Sequence, residues 1–431
     1  MSSSKYQKVL ARIYELQKFG IKLGLSSTER LLAKLGSPQN ALTCVHLAGT
    51  NGKGSVGAML EAAALAGGLK TGFFSSPHLV SFTERFRLNG RQIAPRKVIS
   101  LAEQVWTAVE PSQPPTFFEF VTAMSFLYFV QERVDLAIME TGMGGRLDAT
   151  NICHPLVSVI TNIGLEHQEY LGRTLSAIAG EKAGIIKPRI PVVHGVSQPS
   201  ARLVLEKKAV ELAAPILRRG RDMLVRSHRQ GFSLQGRLWS LPGLSTNLVG
   251  RHQPGNASLA MGAAEILAQS GLPLTMEHFR DGLKNVDWPG RLEKVADQEN
   301  GPTIWMDGAH NPPAAQVLVD SLDLVRQNRS PLVMVLGVMA DKDVEKVLNI
   351  LVPAADKVIF SRPKYQRAAS PRILAQIAPR GCTVKTEDDL VKAIDQAKTW
   401  AGPHGVVLIT GSLYLVGEAK AILAGVECDL P

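Results

Sequence analysis

Short, largely apolar runs recur through the first part of the chain at Val45–Leu47, Thr71–Phe74, Leu136–Met139, Val157–Ile160 and Pro191–Val193, separated by stretches with helical spacing of apolar positions. A run without polar alternation reads as a strand buried on both faces, and such strands alternating with helices predict a mostly parallel sheet covered by helices. From about Arg218 to Leu248 the runs are shorter and more polar, which predicts a small antiparallel excursion. Asn256–Ser270 then repeats Ala, Leu and Met at helical spacing. A second series of apolar runs follows Trp288-Pro289-Gly290, at Thr303–Met306, Leu332–Leu336, Lys357–Phe360, Thr383–Lys385 and Val406–Ile409. The pattern predicts two α/β domains, residues 1–288 and 289–431, with a cleft between them as the default place for a ligand.

Length agrees, since 431 residues exceed the usual single domain. Hydrophobic residues make up 45% and charged residues 20%, and no run is long enough to span a bilayer. The opening MSSSKYQKVLARIYELQ scatters charges through its apolar positions, so it reads as an amphipathic helix and not as a signal peptide. The expected compartment is the cytoplasm, with no membrane partner. Cys44, Cys153, Cys382 and Cys428 lie far apart without a CxxC pair, which suggests neither a zinc site nor a disulfide framework. The net charge of +10 is spread along the chain without a basic run or interleaved aromatic residues. That distribution speaks against nucleic acid and suits an enzyme that steers small polyanions.

The chemistry starts at Val45–Ser55, VHLAGTNGKGS, where an apolar strand runs into a glycine-rich turn with one lysine. Successive backbone N–H groups in such a turn point into one concavity, Lys53 adds a mobile charge, and the next helix offers its N-terminus to the same anion. The spacing departs from the common Walker A form: Gly54 separates Lys53 from Ser55, and the upstream glycine is missing. Tight strand–helix packing is the plainer account of such a turn. Glu140 ends the run Leu136–Met139 and opens ETGMGGRLDATN, which places a carboxylate at the carboxyl edge of the sheet, where a Mg²⁺ ligand beside phosphates belongs. The next run ends in TNIGLEHQEYLG and brings Glu166, His167 and Glu169 to that edge; Ser75 and Ser76 follow Thr71–Phe74 in the same way. Lys182, in AGEKAGIIKP, reads by itself as a surface ion pair in a short helix. Asp307 and His310, in MDGAHNP, end a strand of the second series and are placed to face the cleft, with helix capping the simpler role for Asp307.

Taken in order, AGTNGKGS, SSPHL, ETGMGGRLDATN, EHQEYLG, EKAGIIK, GRHQPGNA, WPGRLE, DGAHNP and GVMADKD resemble folylpolyglutamate synthase, including the bacterial enzymes that are also dihydrofolate synthases, within the wider Mur ligase group. The resemblance covers nearly the whole chain. It implies an N-terminal P-loop domain and a C-terminal Rossmann-like domain that ligates glutamate, and it accounts for the altered Walker spacing. It implies that Thr50, Asn51, Gly52, Lys53, Gly54 and Ser55 hold ATP phosphates, that Ser76, Glu140 and His167 serve Mg²⁺, and that Lys182 is carbamylated and turned toward the metal. Asn256, Arg291 and Asp307 correspond to nucleotide contacts, and His310 lies near the glutamate site. Thr116, Phe117, Phe118 and Glu119 resemble the pterin-side loop, with Leu147, Asp148 and Ala149 in the same pocket. The segment Gly20–Leu25 resembles a flap over the pteroate, but it carries Lys22 where a bifunctional pattern has aspartate. This departure bears on dihydropteroate more than on polyglutamylation.

The implied reaction is ATP-dependent amide formation. ATP converts a folate or dihydropteroate carboxylate to an acyl phosphate, the amine of L-glutamate attacks it, and ADP and phosphate leave. Lys53, Lys182 and His310 are the residues expected nearest the chemistry, in a monomeric enzyme of small molecules. Two alternatives stand beside this reading. A Mur ligase acting on another carboxylate is disfavoured because the P-loop comes too early for a UDP-binding domain to precede it. A nucleotide-switch protein would release no ADP in response to glutamate.

Overall fold

The computed structural model describes residues 2–22, 24–296, 301–326 and 330–429. Its contacts divide the chain into two compact units. One comprises Met1–Pro77, Thr83–Asn247 and Pro254–Val286; the other comprises His78–Phe82, Leu248–Gln253 and Asp287–Pro431. The short segments at 78–82 and 248–253 join the C-terminal unit although the hydrophobic pattern gave no sign of it.

The first unit is built on an eight-stranded sheet: β1 (Cys44–Ala48), β2 (Thr71–Phe74), β3 (Phe86–Leu88), β4 (Arg91–Gln92), β5 (Leu136–Glu140), β6 (Val157–Ile160), β7 (Val192–His194) and β8 (Ile216–Arg218). Their spatial order is β4-β3-β2-β5-β1-β6-β7-β8, and all pairs from β2 to β8 are parallel. Every residue of β1, β2, β5 and β6 is buried, as expected of strands covered on both faces. The carboxyl ends of β2, β5, β1 and β6 therefore stand side by side, on either side of the point where the strand order reverses.

Glycines set how closely the helices approach this sheet. A Cβ on Gly57, in the helix Lys53–Ala66, would lie 2.4 Å from the Phe73 ring, and one on Gly72 would lie 2.5 Å from the Phe129 ring. The excursion forms a three-stranded antiparallel sheet of β9 (Leu224–His228), β10 (Gly231–Gln235) and β11 (Ser240–Leu244).

The second unit has a six-stranded sheet: β12 (Glu293–Ala296), β13 (Thr303–Asp307), β14 (Leu332–Leu336), β15 (Lys357–Phe360), β16 (Thr383–Thr386) and β17 (Val406–Thr410), in the order β12-β13-β17-β14-β15-β16. Only β12 is antiparallel. The period of two along a strand is visible in its two cores. Leu332, Met334 and Leu336 of β14 enter one cluster with Val406 and Leu408 of β17, while Val333, Val335, Val407 and Ile409 enter the other.

Ten of the strands match the predicted runs to within a residue at each end. Missing from the sequence reading were β3, β4, β8 and β12. The β3–β4 hairpin had a legible signal, because Asn89-Gly90 joins its strands with φ of 50° and 72°, the geometry that favours an Asn-Gly turn. The helix expected from Asn256 begins at Gln253 and ends at Gln269.

The helix Met276–Asn285 crosses Lys53–Ala66 at Gly282, where a Cβ would fall 2.5 Å from the Ala63 nitrogen and 2.7 Å from the Ala62 carbonyl carbon. Backbone cannot yield as a flexible side chain does. Gly282→Ala should therefore cost about 1–3 kcal/mol, read as a fall in the urea midpoint; an unchanged midpoint would show that the two helices separate freely.

Candidate nucleotide and metal site

The turn after β1 is fixed from the turn after β6. A Cβ on Gly49 would sit 1.8 Å from Thr161 Oγ1, so only glycine allows this approach, and Gly49 also has φ of 149°. Thr161 Oγ1 donates to the Asn51 carbonyl at 2.6 Å, Asn162 Nδ2 donates to the same oxygen at 3.0 Å, and the Asn51 N–H donates to Asn162 Oδ1 at 2.9 Å. Thr50 Oγ1 accepts from the Gly164 N–H at 2.9 Å, and the Thr50 N–H donates to the Asn162 carbonyl. Thr50 and Asn51, predicted to hold phosphate, thus have backbone amides already engaged in shaping the turn.

The open donors lie one step further. Gly52, with φ of 85°, caps the helix that begins at Lys53, and the first intrahelical bond runs from Val56 to Gly52. The N–H groups of Lys53, Gly54 and Ser55 open that helix, the arrangement that suits a phosphate. A Cβ on Gly52 would meet Asn256 Oδ1 at 2.8 Å, so the structure brings predicted Asn256 against the turn, from the first turn of the helix Gln253–Gln269.

Lys53 Nζ donates to the Gly49 carbonyl at 3.0 Å and lies 3.9 Å from Glu140 Oε1. Glu140 is buried at the end of β5, beside β1 in register with Leu47. Ser76 follows β2 and His167 follows β6, so the predicted metal set comes from strand ends that flank the turn. His167 takes a left-handed conformation, φ of 47° and ψ of 40°, ahead of the helical turn Gln168–Leu171. Among the described residues no three His, Cys, Asp or Glu side chains gather as a metal centre. The predicted set contains two such residues, completed by a hydroxyl and a lysine, so it does not depend on such a gathering. The donors that fit a hard cation next to phosphate are the Glu140 carboxylate and the Ser76 hydroxyl.

Lys182 is 1% exposed, so the expected surface ion pair is corrected to a buried one. Its Nζ donates to Glu166 Oε1 at 2.9 Å. Burial pushes the Lys182 pKa down, against the pull of Glu166, and the nearby Lys53 charge lowers it further. Burial pushes the Glu166 carboxyl up, but the Lys182 and Lys53 charges outweigh it and hold the group below its ordinary value. Thr161, Asn162 and the partnership of Glu166 with Lys182 were not assigned from the sequence, because each depends on knowing that β6 lies next to β1.

The predicted pterin-side loop is the start of a helix. Thr116 and Glu119 form a capping box on Phe117–Gln131: the Glu119 N–H donates to Thr116 Oγ1 at 3.3 Å, and the Thr116 N–H donates to Glu119 Oε2 at 2.6 Å. The sequence TFFE carried that signal. Phe117 and Phe118 remain half-buried; Phe117 stacks on Tyr14 at 5.7 Å, and Phe118 lies 5.9 Å from Phe74 and covers Gly142. Asp148 is buried and accepts from the Met143 N–H, the Thr150 N–H and Thr150 Oγ1, while Ala149 is buried and Leu147 half-buried beside it. Of the flap, Leu23 lies outside the described residues; Lys22 donates to the Pro114 carbonyl at 3.2 Å.

The C-terminal unit has its own cluster at the end of β13. Asp307 is buried and accepts from the Leu292 and Ala309 N–H groups, both at 2.8 Å; burial raises its pKa, opposed by Arg291. A Cβ on Gly308 would fall 2.8 Å from Arg291 Nη1, and His310 Nδ1 lies 2.7 Å from the Gly308 carbonyl. The structure thus brings Arg291, Asp307 and His310 together within this unit. Asn311, and not Asp307, caps the following helix.

The Lys182–Glu166 pair gives a stability prediction. A carboxyl held below its ordinary value of 4.5 contributes stability that is fully present above that pH and is lost as pH falls through the lower folded value. In bicarbonate-free buffer, where Lys182 stays unmodified, Glu166→Gln leaves a buried ammonium without its partner and should cost about 3 kcal/mol near neutrality. Urea unfolding from neutral to acidic pH should show this deficit closing below the ordinary carboxylate range. A deficit that stays constant with pH would mean that the pair is not the source.

Residues 47–264 match the Mur ligase middle domain, and residues 290–413 match the glutamate ligase domain of the Mur ligases. A dihydrofolate synthase/folylpolyglutamate synthase of Bacillus subtilis is 35% identical over 430 residues, spanning 96% of this chain and 98% of that protein. The Escherichia coli FolC structure in complex with DHPP and ADP superposes with a TM-score of 0.89 at 30% identity, over 99% of each chain. A bifunctional folylpolyglutamate synthase/dihydrofolate synthase of Yersinia pestis, solved with AMPPNP and a manganese ion, gives a TM-score of 0.87 at 33% identity, over 98% of this chain and 99% of that one. With Mur-type domains and relatives matched from end to end, the chain belongs to the dihydrofolate synthase/folylpolyglutamate synthase family and is an ATP-dependent carbon–nitrogen ligase.

Proposed function

We propose that this protein adds L-glutamate to tetrahydrofolate, extending its polyglutamate tail, and to dihydropteroate, forming dihydrofolate. The observation that carries the reading is the phosphate turn with Lys53 at its mouth, 3.9 Å from the buried carboxylate of Glu140. The substrate carboxylate is a poor electrophile, and transfer of the γ-phosphoryl group of ATP to it makes an acyl phosphate that the glutamate amine attacks, releasing phosphate. Lys53 and the amides that open its helix hold the phosphates and offset charge on the transferring group. Glu140 and Ser76, with His167 from the next strand end, would hold Mg²⁺, which would neutralise further phosphate charge when bound. No residue forms a covalent bond to substrate; alignment carries the rate.

In this reading Asn256, Arg291 and Asp307 contact the nucleotide, and His310 orients the glutamate. The half-buried rings of Phe117 and Phe118, with Leu147, give a flat ligand an apolar face, while Thr116, Glu119, Asp148 and Ala149 frame that pocket. Lys182 is the residue we assign to carbamylation, supported by the burial that lowers its pKa and favours the neutral amine the modification needs. A gain of one carboxyl group in intact mass under bicarbonate checks that step. The enzyme is read as a cytoplasmic monomer acting on small molecules, without nucleic acid; no described helix is long and apolar enough to cross a membrane.

The deciding experiment offers dihydropteroate and tetrahydrofolate separately with ATP, Mg²⁺ and glutamate, and identifies the products by mass. Glutamyl adducts of neither substrate would overturn the proposal. Lys53→Ala should lower the rate roughly a thousandfold with the fold intact, the size expected when one charge is removed from a transferring phosphoryl group; a rate within tenfold of the parent would remove Lys53 from that role. Glu140→Gln should raise the Mg²⁺ concentration for half-maximal rate and leave the folate KM near the parent value. The reverse outcome would place Glu140 in the folate pocket.

A further inference from the structure

The loop that follows β2 is held at its neck and at its tip, and the ligase reading uses only the neck. There the Ser75 N–H donates to the Arg85 carbonyl at 3.2 Å, just ahead of β3, and Ser76, assigned to Mg²⁺, is the next residue. The tip, His78–Phe82, belongs to the C-terminal unit. Each of its five residues is bonded to Cys428 or Asp429, in the segment that follows the helix Leu413–Ala424. His78 Nε2 lies 3.1 Å from the Asp429 carbonyl, the Cys428 thiol donates to the Leu79 carbonyl at 3.6 Å, and the Asp429 N–H donates to the Val80 carbonyl at 2.7 Å. Asp429 Oδ2 accepts from Ser81 Oγ at 2.9 Å and from the Phe82 N–H at 3.2 Å.

Apolar packing sets how deep the tip lies. Leu79 enters a core with Val333 and Ile409, and a Cβ on Gly417 would fall 2.0 Å from the Leu79 carbonyl oxygen, so glycine lets that helix lie on the loop backbone. Packing alone does not satisfy buried backbone groups, and Asp429 supplies partners for them. Its carboxylate takes the N–H that opens the helical turn Phe82–Arg85, and a charged acceptor makes such bonds stronger than a neutral one. The two sides of the neck then trace back to Asp429. On one side, two peptide units join His78 to Ser76, at most roughly 7.6 Å of chain, and the ring of Pro77 between them fixes its φ. On the other, the turn Phe82–Arg85 leads to the carbonyl that Ser75 holds. A displacement of the tip passes to Ser76 with little slack.

We propose that Asp429 is a positioning residue for the metal site: by bonding the tip of the loop 75–85 it holds the Ser76 hydroxyl where Mg²⁺ would be bound. The inference rests on the ligase reading, which gives Ser76 its role. Asp429 itself touches neither substrate nor metal and acts through the loop.

The test measures Mn²⁺ binding to the full chain saturated with ADP, by calorimetry, and amide hydrogen exchange in the same proteins without metal or nucleotide. Asp429→Ala should weaken Mn²⁺ binding roughly tenfold, the scale of hydrogen bonds lost from a charged acceptor. Exchange should rise at Phe82, whose N–H loses its acceptor, and also at Ser75 in the neck; a clasp that acts only on the tip would raise the first and not the second. Asp429→Asn keeps a carbonyl oxygen for both donors and should recover most of the Mn²⁺ affinity and the slow exchange at Ser75. Asp389→Ala removes another carboxylate of the same unit, one that accepts from the Val391 and Lys392 N–H groups, and should bind Mn²⁺ as the parent does. The proposal is overturned if Asp429→Ala binds Mn²⁺ like the parent, if exchange at Ser75 does not change, or if Asp389→Ala weakens binding as much, because general loosening would then be the cause. Those three outcomes leave the ligase reading standing. A parent that binds no Mn²⁺ beside ADP would instead overturn the metal site of that reading, and this proposal with it.

Discussion

The contact on which the N-terminal site depends is the approach of Thr161 to Gly49, where a single methyl group would leave 1.8 Å between atoms. It locks the turn after β1 to the turn after β6 and commits the Asn51 carbonyl to two donors from the neighbouring strand. With that carbonyl held, Gly52 adopts its left-handed conformation and the helix Lys53–Ala66 starts with its amides open. Lys53 then reaches back over the turn and toward Glu140. Anion binding here follows from packing between adjacent parallel strands, and the charged side chain is the last part of the arrangement to be placed.

Burial gives the charges around the turn their weight. Lys53 and Glu140 are mostly buried, and Lys182 and Glu166 almost wholly so, which leaves the two lysines and two carboxylates little screening by water. Each carboxylate has a lysine near it, so the set is close to neutral as it stands. Phosphates add negative charge, which the amides opening the helix at Lys53 offset in part and a bound cation would offset further.

The sequence made the strands legible because a parallel sheet buries both faces and so demands continuous apolar runs; the period did not have to be inferred from alternation. The same property hid what lay between strands. That β6 neighbours β1, and that Glu166 therefore reaches Lys182, follows from sheet order, which no local pattern encodes. The segment 78–82 joins the C-terminal unit through Leu79, which lies in a core with Val333 and Ile409, and through the Asp429 contacts to Ser81 and Phe82; such distant pairings leave no local trace. Two other elements differ in this respect. The Asn89-Gly90 hairpin and the Thr116–Glu119 capping box both have short local signals in the sequence.

Thr116, Glu119 and Asp148 all fall in recognisable motifs, and each directs its side chain at backbone N–H groups or at a neighbouring hydroxyl. Asp148 is paired through Thr150 to the buried His46 of β1, so its carboxylate steadies the strand that leads into the phosphate turn. A buried carboxylate that already accepts several hydrogen bonds has little capacity left for a ligand, and removing it leaves those donors unsatisfied at a cost of about 1–3 kcal/mol each. Loss of activity on mutating such a residue would therefore not identify a substrate contact. On the pterin side the surfaces left for recognition are the half-buried rings of Phe117 and Phe118, where shape does the binding and the motif's polar side chains hold the rings in place.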